Sequence, residues 1–155
     1  MNTYLTSDLH LGHSNIIKYC NRPFPDVESM NKYLITKWNE TVSKSDKVYF
    51  LGDLSFLTEK WIPLLNGNIT FIKGNHDKFK NTQSFPSIIL EWQGECFYLI
   101  HNPRDVPPDW ESWIIHGHVH NNKPFRVDEK TFNVSTDVTF FRPIELSYII
   151  EKIKE

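Results

Sequence analysis

Five segments with strand character each run into a short turn carrying aspartate, histidine or both, and no other feature of the chain restricts its fold so tightly. Thr3-Tyr4-Leu5-Thr6 leads into Ser7-Asp8-Leu9-His10, and Lys47-Val48-Tyr49-Phe50-Leu51 into Gly52-Asp53. Asn68-Ile69-Thr70-Phe71-Ile72-Lys73 ends at Gly74-Asn75-His76-Asp77, residues 96–100 end at His101, and Trp113-Ile114-Ile115 ends at His116-Gly117-His118-Val119-His120. All seven histidines (His10, His13, His76, His101, His116, His118 and His120) follow or adjoin such a strand end. In α/β sheets the loops at the carboxyl ends of strands converge on one ligand-binding crevice. Gly12, Gly52, Gly74 and Gly117 sit in the same turns, where the chain must bend sharply beside a ligand.

Between the strands the pattern becomes helical. Over residues 26–43 the apolar Val27, Met30, Tyr33, Leu34, Trp38 and Val42 recur at three- and four-residue steps, with acidic residues at the entrance. A second helical stretch, residues 58–65, contains Pro63 and closes at Asn66-Gly67. Strand–helix–strand–helix–strand implies parallel pairing through right-handed crossovers. In the second half, residues 88–92 and 96–100 form a hairpin around Gln93-Gly94, and residues 131–134 form a further strand. Residues 143–154 read as a closing helix with Pro143 in its first turn. The expectation is an α/β sandwich of two mixed sheets with helices outside, residues 1–155 making one domain.

Composition narrows the function classes. The formal charge of −2 leaves no electrostatic footprint for duplex DNA. Two cysteines, Cys20 and Cys96, are too few for a disulfide framework and are expected as thiols. The first residues lack a basic segment followed by an apolar run, and no apolar stretch reaches membrane-spanning length, so a cytoplasmic protein is expected. The five Trp and eleven Phe are assigned to core and rim packing.

The ordered set Asp8-x-His10, Gly52-Asp53, Gly74-Asn75-His76-Asp77, His101, Gly117-His118-x-His120 resembles the calcineurin-like metallophosphoesterase family. Ser7-Asp8-Leu9-His10-Leu11-Gly12-His13 with Tyr19-Cys20-Asn21-Arg22-Pro23-Phe24 is similar to a small bacterial- and phage-type subgroup of it. The resemblance implies a four-layered α/β/β/α sandwich with a binuclear metal centre at one edge, and hydrolysis of a phosphodiester or phosphomonoester. It implies that Asp8, His10 and His120 hold one metal, that Asn75, His101 and His118 hold the other, and that Asp53 bridges them. It places His76 beside the substrate. A retromer scaffold subunit shares this fold without the full catalytic set, so a non-catalytic metal-binding interaction module is the alternative.

The donor types suit the chemistry. Imidazole and carboxylate ligands favour Mn, with Fe, Zn, Ni or Co as alternatives. Two metals about 3.5–4 Å apart create a bridging hydroxide for in-line attack and neutralise phosphoryl oxygens. With neutral Asn75 among the ligands, the centre including hydroxide carries about +1, which suits a diester monoanion and admits a monoester. His76, oriented by Asp77 or a backbone carbonyl, is expected to protonate or hydrogen-bond the ester oxygens. His13 and Arg22, on the loop and helix after the first strand, are expected to contact phosphate, Arg22 through two parallel donors. Arg104 is expected at the surface, and His116 inside a strand. The expected substrate is a small phosphate ester, with a nucleotide or RNA end among the candidates.

Overall fold

A computed structural model describes residues 1–155. Strands β1 (Thr3–Thr6), β2 (Lys47–Phe50), β3 (Asn68–Ile72), β4 (Ser84–Phe85) and β9 (Ile144–Glu145) make one sheet, in the order β4-β3-β2-β1-β9. Strands β5 (Ser87–Trp92), β6 (Glu95–Ile100), β7 (Trp113–His116) and β8 (Thr131–Asn133) make the other, in chain order. β1 to β4 pair in parallel, as do β6, β7 and β8, while β9 and β5 join antiparallel at the edges. Both sheets are therefore mixed, as expected. Helices α1 (Asn15–Tyr19), α2 (Val27–Thr41), α3 (Thr58–Trp61) and α4 (Leu146–Lys154) complete the fold.

The two-residue alternation of strand side chains divides the core into two clusters. Tyr4, Val48, Phe50 and Phe71 face α2, whose Met30, Leu34 and Trp38 are buried against them. Their neighbours Leu5, Tyr49, Leu51 and Ile72 face the second sheet and meet Phe97, Leu99, Ile115, Phe132 and Val134. Leu146, Ile149 and Ile150 of α4 join this second cluster. Asp26 caps α2 by accepting a 2.7 Å hydrogen bond from the Ser29 amide, which fixes where the helix begins.

The structure corrects two expectations. Pro143 lies outside any helix: Ile144-Glu145 pair with Leu5 and Tyr4 as an edge strand, and α4 starts at Leu146. Just before an edge strand, the N–H donor that proline lacks is not needed by the ladder. The stretch around Pro63 is four α-helical residues followed by a 3₁₀ turn, Ile62–Leu64. The hairpin turns at Gln93 and Gly94, both at positive φ. Cys20 and Cys96 are free thiols. No helix is long and apolar enough to cross a membrane.

The two sheets meet at their carboxyl ends. Ser7, just past β1, bridges in parallel to Ser135, just past β8, and the Thr136 amide donates to the Ser7 carbonyl at 3.0 Å. The Asp8 amide donates to the Gly52 carbonyl at 2.9 Å, and Gly117 to His101 at 3.1 Å. The turns singled out by the sequence therefore lie along one edge of the sandwich.

Candidate metal centre

Asp8, His10, Asp53, His118 and His120 all have left-handed backbones, with φ of 59°, 52°, 62°, 73° and 49°. Non-glycine residues are uncommon there and persist where the surroundings over-determine them. Two glycines make room for these turns. A Cβ on Gly74 would collide with the Asp53 carboxylate and amide, and one on Gly117 with the Ser7 hydroxyl and the Asp8 carboxylate.

The side chains converge around Asp53. Its Oδ2 is 3.5 Å from His10 Nε2, 3.3 Å from His101 Nε2 and 3.0 Å from His76 Nδ1. On one side of Asp53, Asp8 Oδ1 lies 3.7 Å from His10 Nε2 and 3.6 Å from His120 Nε2. On the other side, His101 Nε2 is 3.2 Å from His118 Nδ1. Asp8–His10–His120 and Asp53–His101–His118 each bring one ligand atom per residue within 4.8 Å of the others.

Hydrogen bonds fix which nitrogens are free. His101 Nδ1–H donates to the Leu51 carbonyl at 2.7 Å and His120 Nδ1–H to Asp137 Oδ2 at 2.8 Å, so each ring turns Nε2 to the centre. Asp8 Oδ2 accepts from Ser7 and Ser135 hydroxyls and the His118 amide, at 2.5, 3.3 and 2.8 Å. By contrast, Asp8 Oδ1 and His10 Nε2 are buried without any hydrogen-bond partner. Unpaired buried polar atoms are rare and costly, and a cation among Asp8, His10, Asp53 and His120 would satisfy both. The residues fit divalent cations.

The field of the cluster points the same way. Burial raises the Asp8 carboxyl, but the His10 ring 3.7 Å away and the charges of His101 and His120 outweigh it and hold Asp8 well below the usual carboxylate range. Asp53 is lowered to about 2, the His101 hydrogen bond and charge overcoming burial. The same ion pairs, against the opposing effect of burial, raise His101 to about 9 and, with the Asp137 hydrogen bond, His120 to about 10. His118 goes down, first through burial and then through repulsion by His101.

Other candidates sit differently from expectation. Asp77 is buried, and its carboxylate makes no hydrogen bond to His76. Its carboxylate accepts from the Asp53, Leu54 and Gly74 amides at 2.7, 2.9 and 2.9 Å, so it braces the Asp53 turn. His76 is instead oriented by Asp53 itself and is 43% exposed at its side chain. Arg22 is no phosphate ligand: it is buried, and its guanidinium donates to the Asp8 and Leu9 carbonyls at 2.6 and 2.8 Å and to Asp137 at 2.8 and 3.2 Å. A second-half carboxylate satisfies it, leaving no donor pair for a substrate. His13 does border the centre, its ring 5.6 Å from that of His10. Asn75 is exposed and, with His101, lines a cleft of about 380 Å³. His116 ends β7, buried, its Nδ1–H donating to the Gly117 carbonyl at 2.7 Å.

Sequence reasoning missed Asp137, which joins Arg22 to His120. Its signal was available, since Ser135-Thr136-Asp137 follows β8 as the other acidic turns follow their strands. Ser7 and Ser135, both holding Asp8 Oδ2, were missed likewise.

Two mixed sheets whose carboxyl edges gather a buried aspartate–histidine cluster, with one aspartate shared by two groups of donors, define an α/β sandwich organised around a candidate cation centre. The sequence model of the calcineurin-like phosphoesterases matches residues 1–153, and the chain belongs to that family. It is 46% identical to the uncharacterized protein MJ1445 of Methanocaldococcus jannaschii, over 98% of this chain and 91% of that protein. The Gene 66 protein of Mycobacterium phage L5 is 39% identical over 83 residues, 49% of this chain and 40% of the phage protein. Among solved structures, the protein of unknown function AQ665 from Aquifex aeolicus superposes with a TM-score of 0.76 at 22% identity, over 98% of this chain and 99% of that one, a likeness of fold.

Proposed function

We propose that the chain is a divalent-cation-dependent phosphoesterase acting on a phosphodiester or phosphomonoester. The observation that carries this reading is the position of Asp53, whose one oxygen faces His10, His101 and His76 between two sets of donors. Asp8, His10, Asp53 and His120 would hold one cation, and Asp53, Asn75, His101 and His118 the other. Their nitrogen and carboxylate donors suit Mn²⁺, with Fe, Zn, Ni or Co also compatible. When bound, such a pair acidifies water and neutralises phosphoryl oxygens. His76 is half-exposed and held through Nδ1 by Asp53, so its other nitrogen would donate a proton or hydrogen bond to an ester oxygen. Asp77 keeps the Asp53 turn in register, and Arg22 fixes the Asp8–Leu9 carbonyls.

The test is hydrolysis of bis-p-nitrophenyl phosphate and p-nitrophenyl phosphate by Mn²⁺-loaded protein. Turnover that disappears on chelation supports the proposal. Bound metal without turnover of either ester would identify a non-catalytic metal-binding module instead.

A further inference from the structure

Outward from His76, the rim of the centre changes character. Phe56 packs edge-on to both His76 and His13, with ring centroids 5.2 and 5.0 Å away, and the Tyr19 ring lies 6.3 Å from that of His13. Phe56, Leu57 and Tyr19 are 41%, 64% and 70% exposed. Single exposed aromatics are ordinary on protein surfaces, but Phe56 and Tyr19 both lie against His13 at the mouth of the candidate centre.

Immediately beyond, a cleft of about 490 Å³ is walled by Phe56 and Leu57 with Lys60, Lys78 and Lys80. Its floor is stitched together. The Lys78 amide donates to Thr58 Oγ1 at 3.3 Å, and Glu59 Oε1 accepts from the Lys80 amide and, at 2.8 Å, from the Asn81 amide. The one carboxylate in this cleft is therefore occupied by backbone. The lysine ion pairs of the molecule are Lys37–Glu40 and Lys152–Glu155, so none of the three cleft lysines is in an ion pair, Lys60 lying over the Trp61 ring at 4.8 Å. In a chain with a net charge of −2, this is a local concentration of positive charge.

We propose that this cleft is a subsite for single-stranded nucleic acid: a base stacks on Phe56, and a neighbouring phosphate is drawn to Lys60, Lys78 and Lys80. Aromatic faces beside a basic groove are what sequence-tolerant strand binding requires. A duplex would need a broad positive face, which the net charge does not supply. A phosphorylated peptide would use the lysines but has no stacked base to place on Phe56. The inference rests on the phosphoesterase reading only for the location of the reacting phosphate, which lies beside His76 while the strand extends over Phe56 into the cleft.

The experiment is fluorescence anisotropy of a labelled six-nucleotide single strand with protein loaded with Ca²⁺, compared with a duplex and a phosphoserine peptide. Beside it, Mn²⁺-dependent hydrolysis of the unlabelled strand and of bis-p-nitrophenyl phosphate is measured. Phe56→Ala is expected to weaken strand binding about 5- to 150-fold. Lys78→Ala with Lys80→Ala is expected to flatten the dependence of log K on log salt by about 0.7 for each phosphate that is no longer neutralised. On the strand, both variants should lose more kcat/KM than on the small diester. A strand bound no better than the peptide, or equally by wild type and variants, overturns the subsite while small-ester turnover keeps the phosphoesterase reading. Variant-sensitive strand binding without turnover of any ester retains the subsite and removes the phosphoesterase reading.

Discussion

At the scale of single residues, the centre is a set of strained turns held by partners from distant parts of the chain. His76 touches Asp53 yet belongs to neither proposed cation set, so His76→Ala should lower kcat about 10²- to 10⁴-fold while bound metal stays constant by elemental analysis. Loss of metal along with activity would make His76 a ligand and sink that assignment. Asp137 acts through another residue: by accepting from His120 Nδ1–H it aims Nε2 at Asp8. Asp137→Asn should weaken Mn²⁺ binding about 10- to 100-fold in calorimetry, with circular dichroism unchanged. The motif aspartates and histidines were legible because each sits at a strand end in a short local pattern. The Arg22–Asp137 pair was not, because its members lie 115 residues apart and no local pattern couples them. Arg22 was misread for the same reason, since a buried ion pair and a free phosphate ligand look alike until the partner is known.

The same residues carry a pH dependence. In the absence of cations the carboxylates raise His101 to about 9 and His120 to about 10, so both rings hold a proton at neutral pH. A group raised in this way stabilises the cation-free fold below its ordinary value of 6.5, and that contribution fades as pH rises through 9 and 10. A cation must displace those protons, so its apparent affinity should rise with pH between about 6 and 9. Calorimetry in two buffers of different ionisation heat should detect proton release on Mn²⁺ binding. Uptake independent of pH would contradict the ion-paired description of the aspartate–histidine cluster.

At the scale of elements, periodicity predicted α2 closely because its buried face is a continuous stripe and Asp26 caps it. Trp38 is the largest side chain on that stripe, 1% exposed, with its Nε1–H donating to the Asn66 carbonyl at 2.9 Å. Trp38→Ala should destabilise the protein by about 3–5 kcal/mol in urea unfolding, through the cavity left behind. A change under about 1 kcal/mol would show that α2 is not packed as described. Short elements were less legible. β4 and β9 are two residues each, too short for any period to register, and their pairing comes from neighbouring strands. Pro143 gave a helix-start signal that Ile144 and Glu145 override by pairing with β1.

At the scale of the molecule, each proposed cation draws on both sheets. Asp8, His10 and Asp53 follow strands of the first sheet, whereas His101, His118 and His120 follow strands of the second. Hydrogen bonds already join the two carboxyl edges at Ser7–Thr136, Asp8–His118, Leu51–His101 and Arg22–Asp137, and bound cations would add further cross-links between the layers. A ligand that binds only the folded state stabilises it by about 2.7 kcal/mol at one hundred times its Kd. Mn²⁺ at that excess should therefore raise Tm by several degrees, and Asp53→Asn should abolish the shift, because Asp53 is the one carboxylate shared by both sets. Cys96→Ser, in a strand away from the centre, should retain the full shift. An equal Mn²⁺ shift in wild type and Asp53→Asn would place the cation elsewhere, and the two-sheet centre would then have no metal to hold.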